Sequence, residues 1–200
     1  MSVNLSELPR DLPAPVDDGA AAHLEGSRLP SLELEATDGS WVDLAGLEGR
    51  CVIYVYPMTG RPDVPLPEGW NAIPGARGCT PQSCSFRDHH VELQALRTAV
   101  FGLSAQESAY QREVRARLHL PFLLLSDTTL QLKHALLLPT FTVAGMELFR
   151  RLTLIIQDSR IVKVFYPVFP PDRSAEEVLA WLREHVQPGS PAAAVPHPST

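Results

Sequence analysis

Cysteine is scarce in this chain, with three among 200 residues, and lysine scarcer still, with only Lys133 and Lys163. So few thiols exclude a small secreted scaffold stapled by disulfides, which needs cysteine at far higher density. No run reaches the roughly 20 apolar residues that a membrane-spanning helix requires, so no membrane partner is expected. Basic residues are outnumbered, giving a formal net charge of −6, and nucleic-acid phosphates therefore have no basic surface to meet. The opening stretch "MSVNLSELPRDLPAPVDDG" carries acids and prolines where a secretory leader has a basic start and an apolar centre. The expectation is a cytoplasmic protein whose thiols stay reduced.

What is present reads as one globular domain with tails: 44% hydrophobic and 20% charged residues, and no internal repeat. Residues 1–27 are polar and spotted with proline, and are expected to form a flexible N-terminal segment. The tail after Gln187, residues 188–200, is read as disordered. Residues 28–187 make up the domain between them.

Within the domain, strand and helix signals alternate. "LELEATDGSWVDL" predicts a hairpin turning at Asp38-Gly39. "CVIYVYP" is a continuous apolar run ended by proline, as in a strand buried on both faces. Residues 58–76, "MTGRPDVPLPEGWNAIPGA", carry too much proline for a helix or a central strand. They form a long loop, either packed down by Trp70 or gating a substrate. A helix is predicted over 80–96, with Thr80 as its cap and Pro81 in its first position, and with Phe86, His89 or His90, Leu93 and Leu96 on one face. "AVFGLSA" predicts a strand, "ESAYQREVRARL" a helix, "PFLLLSD" a strand and "LTLIIQDSRIVKVFYP" a hairpin. Ser174 opens a last helix with Glu177 as its capping-box partner and Val178, Leu182 and Val186 as its buried stripe. The order β-β-β-α-β-α-β-β-β-α predicts an α/β sandwich, a mixed sheet flanked by helices.

Two of the three cysteines, Cys79 and Cys84, stand five positions apart in "PGARGCTPQSCSFRD". Zinc ligation by Cys79, Cys84, His89 and His90 is one reading, although adjacent histidines on a helix point about 100° apart. A structural disulfide is a second, weakened by the expected reducing compartment, and a reactive thiol is the third. At the leading end of a helix the macrodipole stabilises a thiolate on Cys79, with Arg77 nearby, whereas Cys84 lies in a more apolar stretch and should stay protonated. Residues five apart in an ideal helix have Cα atoms about 9 Å apart, beyond the roughly 7 Å that a disulfide spans. A helix that already includes Cys79 would have to unwind before the two could pair. Cys51, inside the buried strand, is read as a small apolar filler.

These residues resemble a known family. "GCTPQSCSFRD" is similar to the active-site segment of the bacterioferritin comigratory protein (PrxQ) class of peroxiredoxins. "LPSLELEATDGSWVDLAGLEGRCVIYVYP", "LHLPFLLLSD" and "RRLTLIIQDSRIVKVFYPV" resemble the family's other segments in the same order. The resemblance implies a thioredoxin-like fold with an N-terminal β-hairpin. It also implies a peroxidatic Cys79, a resolving Cys84, and Arg151 as the arginine that stabilises the thiolate and orients peroxide, with its neighbour Arg150 as rival. Consecutive strand residues point to opposite faces, so only one of the two arginines can face Cys79. The substrate would be hydrogen peroxide or an organic hydroperoxide and the reductant thioredoxin or a similar dithiol; the protein would act as a monomer, with no metal, haem or nucleotide. One departure stands out. The family has a peroxide-binding threonine three residues before the first cysteine, and here that position is Ala76. Thr59, Thr80 or a loop amide is left to substitute. Two alternatives remain open on the sequence: a disulfide reductase or redox sensor without efficient peroxidase activity, and a zinc-stabilised module without turnover.

Overall fold

The apolar run at 50–55 becomes the middle of the molecule because it has buried side chains to offer on both faces. In the computed structural model, which describes residues 5 and 7–185, β3 (Arg50–Val55) is buried along its whole length. Cys51, Ile53 and Val55 face one core, while Val52, Tyr54 and the following Tyr56 face the other. This is the period-two alternation of a strand, hidden in composition because both faces are covered.

Around it stand β1 (Glu33–Ala36), β2 (Trp41–Asp43), β4 (Thr98–Ser104), β5 (Leu123–Ser126), β8 (Leu152–Gln157) and β9 (Arg160–Phe165), in the spatial order β2-β1-β5-β4-β3-β8-β9. β3, β4 and β5 run parallel, and the two edges are closed by the antiparallel hairpins β1–β2 and β8–β9. The predicted mixed α/β sheet is therefore present. On the Tyr54 face lie α1 (Cys79–Asp88), α2 (His90–Ala95), α3 (Ser108–Arg117) and α5 (Ser174–His185), contributing Phe86, Leu93, Val114 and Val178 to one apolar cluster. Val186 lies outside the described residues.

Within residues 28–187 the structure departs from the sequence pattern in three places. The helix predicted over 80–96 begins at Cys79, capped by Gly78 at φ 108°, and is interrupted at His89 (φ −100°, ψ 9°), so that it forms α1 and α2. Thr80 and Pro81 thus sit inside the first turn. The capping box on the last helix is absent. Ser174 does open α5, but its hydroxyl contacts Gln82 and Thr153, while the Ala175 amide donates to Ser85 Oγ of α1 at 3.3 Å. Lastly, residues 131–149, to which the sequence pattern assigns no element, hold α4 (Gln131–Leu136) and a separate hairpin, β6 (Thr140–Val143) with β7 (Met146–Phe149). A six-residue helix spans too few turns to display a period, and the hairpin turns on Ala144-Gly145 at φ 48° and 76° in place of the usual Asn-Gly signal.

The N-terminal segment is packed rather than flexible over its described residues. Ala21 and Leu24 belong to the core beneath α4, the Gly26 amide donates to Ile161 O at 2.8 Å, and Tyr166 Oη donates to Asp18 at 2.9 Å. The reason is hydrophobic: Leu24 is wholly buried, and a fully buried leucine contributes about 1.5–3 kcal/mol. The tail 188–200 lies outside the described residues. Leu24→Ala should lower unfolding free energy by about 2–5 kcal/mol in urea titrations, as a core leucine does, whereas a flexible segment would register no change.

Candidate active site

α1 is pinned to the sheet at its middle and to β8 at its start. The Tyr54 ring of β3 stacks on Phe86 at 4.6 Å, and its hydroxyl bonds Ser83 Oγ at 3.2 Å. These contacts fix the face of α1 that carries residues 83 and 86. Cys79 occupies the first helical position, is only 3% exposed, and directs its thiol towards Ala76 O at 3.6 Å.

The arginine comes from 72 residues further along the chain. Arg151, immediately before β8, donates from Nη2 to Cys79 Sγ at 3.2 Å and to the carbonyls of Ala76 and Arg77 at 3.1 and 3.3 Å. Its Nε donates to Gly75 O at 3.2 Å, and its Nη1 to Gln82 Oε1. Arg151 as a whole is 3% exposed. Its planar fork lets one side chain hold the 75–77 turn and the sulfur at once, which a lysine ammonium does not do. Of the two rivals, Arg150 points away: its Nε donates to Thr140 O at 3.3 Å.

Gln82, Ser174 and Thr153 were not anticipated from the sequence. Gln82 is wholly buried one turn beyond Cys79, receives Arg151, and donates from Nε2 to Ser174 Oγ at 3.3 Å; Ser174 Oγ in turn lies 3.3 Å from Thr153 Oγ1. The one signal for Gln82 was its i+3 spacing from Cys79, which puts both on one helix face. Ser174 read as an ordinary helix cap.

The remaining candidates separate. Cys84 is half-buried against the same apolar cluster; burial pushes its thiol up, opposed by Arg87, reinforced by Asp88 and opposed again by Arg117. Cys51 is buried in the sheet core and its thiol is pushed up to about 12 by desolvation. All three cysteines are free thiols. Ala76 is fully buried and offers only its carbonyl, while Thr59 is committed to Gln106, its hydroxyl donating to Oε1 at 3.0 Å. His89 bonds Glu92 at 2.8 Å and His90 packs on the Phe122 ring, and among the described residues no group of three or more His, Cys, Asp or Glu side chains is placed to hold a metal. The loop 58–76 is anchored by Trp70, 3% exposed, whose ring lies 6.1 Å from Phe141 of β6.

The redoxin family pattern matches residues 24–179, a span that starts at the buried Leu24. The chain is 30% identical over 156 residues to peroxiredoxin Bcp of Bacillus subtilis (strain 168), covering 76% of this chain and 90% of that protein. It is 27% identical over 161 residues to the chloroplastic peroxiredoxin Q of Suaeda salsa, covering 80% of this chain and 67% of the relative. Against the chloroplastic peroxiredoxin Q of Oryza sativa subsp. japonica the identity is 28%, over 80% of this chain and 66% of the relative, so the chain spans about two thirds of these plant proteins. Peroxidoxin BcpB from Mycobacterium tuberculosis has the same fold, with a TM-score of 0.66 at 24% identity over 82% of this chain and 98% of that one.

The burial of Cys84 makes a pH prediction. A raised thiol value keeps the proton on sulfur through neutral pH. In a Cys51→Ala/Cys79→Ser variant, iodoacetamide labelling of Cys84 should therefore have its midpoint above the ordinary thiol value of about 8.5. By linkage, the stability this proton contributes is complete below the unfolded thiol's value and fades as pH rises through the folded one. A labelling midpoint at or below that of the urea-unfolded variant would overturn the assignment.

Proposed function

The chain belongs to the redoxin family, in its peroxiredoxin Q/Bcp class, and from that membership we propose that it is a thiol peroxidase in which Cys79 attacks peroxide and Cys84 resolves the product. The observation that carries this reading is the 3.2 Å contact between Arg151 Nη2 and Cys79 Sγ.

The chemistry follows from that contact. Cys79 thiolate attacks one peroxide oxygen, the O–O bond breaks, and the leaving oxygen takes a proton to depart as water or an alcohol. Cys79 is left as a sulfenic acid. Negative charge moves from sulfur to the departing oxygen during the step, and a guanidinium already beside the sulfur stabilises it without reorganising. Gln82 holds Nη1 and the 75–77 carbonyls hold the remaining donors, so the fork is oriented before substrate arrives. Cys84 then displaces hydroxide, which leaves as water with the thiol proton, and forms the disulfide. Thioredoxin or a similar dithiol returns both sulfurs to thiols by exchange. Both sulfurs belong to one chain, so a monomer suffices.

One observation favours a second reading, a disulfide reductase or redox sensor with weak peroxidase activity. No hydroxyl stands at position 76, and the Thr59 hydroxyl is engaged by Gln106. Stopped-flow tryptophan fluorescence with peroxide and then with a disulfide as oxidant separates the two, because a reductase responds faster to the disulfide.

Peroxide consumption driven by a thioredoxin system should vanish in Cys79→Ser. Cys84→Ser should consume about one equivalent and stop. Arg151→Gln should lower kcat/KM by about 10²- to 10³-fold, as removal of a charge-stabilising donor does. Undiminished turnover in Cys79→Ser would defeat the proposal.

A further inference from the structure

The Cys79–Cys84 bond cannot form on α1 as it stands. Cys79 is the first residue of the helix, and its opening turn is closed by the Gln82 amide donating to Gly78 O at 3.0 Å. Sulfurs five helical positions apart sit on Cα atoms about 9 Å apart, against a limit of about 7 Å for a disulfide. That turn has to open, and whatever rests on it controls how readily it does.

Two side chains rest on it. Gly78 adopts φ 108°, and a Cβ built there would lie 2.3 Å from Pro171 Cγ and 3.0 Å from Leu8 Cδ2. Pro171 belongs to the short turn that leads into α5. Leu8 belongs to the N-terminal segment, which runs along the rim of the site. Leu5 Cδ2 lies 3.0 Å from the Cβ position of Gly60 in the long loop, Pro15 lies 3.6 Å from that of Gly75, and Asp18 is clasped by the Tyr166 hydroxyl at 2.9 Å. This strap thus touches both ends of the 75–78 turn whose carbonyls hold Arg151.

We propose that Leu8 is a positioning residue: through its contact with Gly78 the N-terminal strap latches the first turn of α1 and sets how fast oxidised Cys79 reaches Cys84. The latch does not enter the peroxide step, which takes place on the closed turn. It acts on the condensation in which Cys79 Sγ–OH and Cys84 Sγ–H give the disulfide and one water, with no oxidant beyond the peroxide already consumed. That second half rests on the peroxidase reading.

Leu8→Ala trims the latch at the turn, and Asp18→Ala releases its far clasp without touching Gly78. In both reduced variants, exchange of the Gln82 and Ser83 amides should quicken about fivefold relative to amides of α5, as a local opening does. After one equivalent of peroxide, quench and mass spectrometry should show disulfide formation about fivefold faster. Sulfenic acid formation, read in a Cys84→Ser background, should change by less than about twofold, a split that general destabilisation would not produce. Unchanged exchange and unchanged or slower disulfide formation in both variants would overturn the proposal. Failure of the unaltered protein to react with peroxide would count against the peroxidase reading alone, because amide exchange still reports the latch.

Discussion

The structure depends on a buried guanidinium with almost no negative charge to neutralise it. Arg151 is sealed from water and surrounded by the carbonyls of Gly75, Ala76 and Arg77, the neutral amide of Gln82 and one sulfur. No ion pair among the described residues includes it. A cation in an apolar interior is costly unless paired, and carbonyl dipoles offset part of that cost. Among its hydrogen-bond partners only Cys79 can carry a full negative charge. The demand of one buried charge is thereby directed onto the atom proposed to do chemistry.

The surrounding architecture keeps that contact in place. Pairing of β8 with β3 fixes where residue 151 emerges, and stacking of Tyr54 on Phe86 fixes where α1 begins. Gly78 is needed at the junction because its backbone takes a left-handed conformation under Pro171, where any Cβ would collide. The Gln82–Ser174–Thr153 chain ties α1, α5 and β8 together at one point. A displacement in any of these elements moves the arginine relative to the sulfur. Rigidity at the sulfur and the need to open the first turn of α1 pull in opposite directions, and the strap over Gly78 stands where they meet.

Much of the fold was legible because its strands carry strong local patterns. The buried run 50–55 and the hairpin turning at Asp158-Ser159 stand where periodicity and turn chemistry put them. Elements decided by distant contacts were not legible. The break at His89 contains neither glycine nor proline, and the N-terminal segment reads as polar because its buried apolar residues, Leu5, Ala21 and Leu24 among the described ones, are spread among polar and charged neighbours. Thr80-Pro81 looked like a helix start, yet the helix begins at Cys79 because Gly78 can turn the chain one step earlier.

For the site, the sequence by itself determined two thiols five positions apart, their unequal surroundings, and a short menu of basic partners. Local pattern is sufficient there, because spacing on a helix and the polarity of adjacent residues are properties of neighbours in the chain. The family resemblance singles out Arg151 over Arg150, but tertiary structure alone decided that its guanidinium meets the sulfur, that Gln82 holds it, and that residues near the N-terminus lie across the turn. Each of those depends on strand register and on packing between segments dozens of residues apart, and adjacent side chains carry no trace of that.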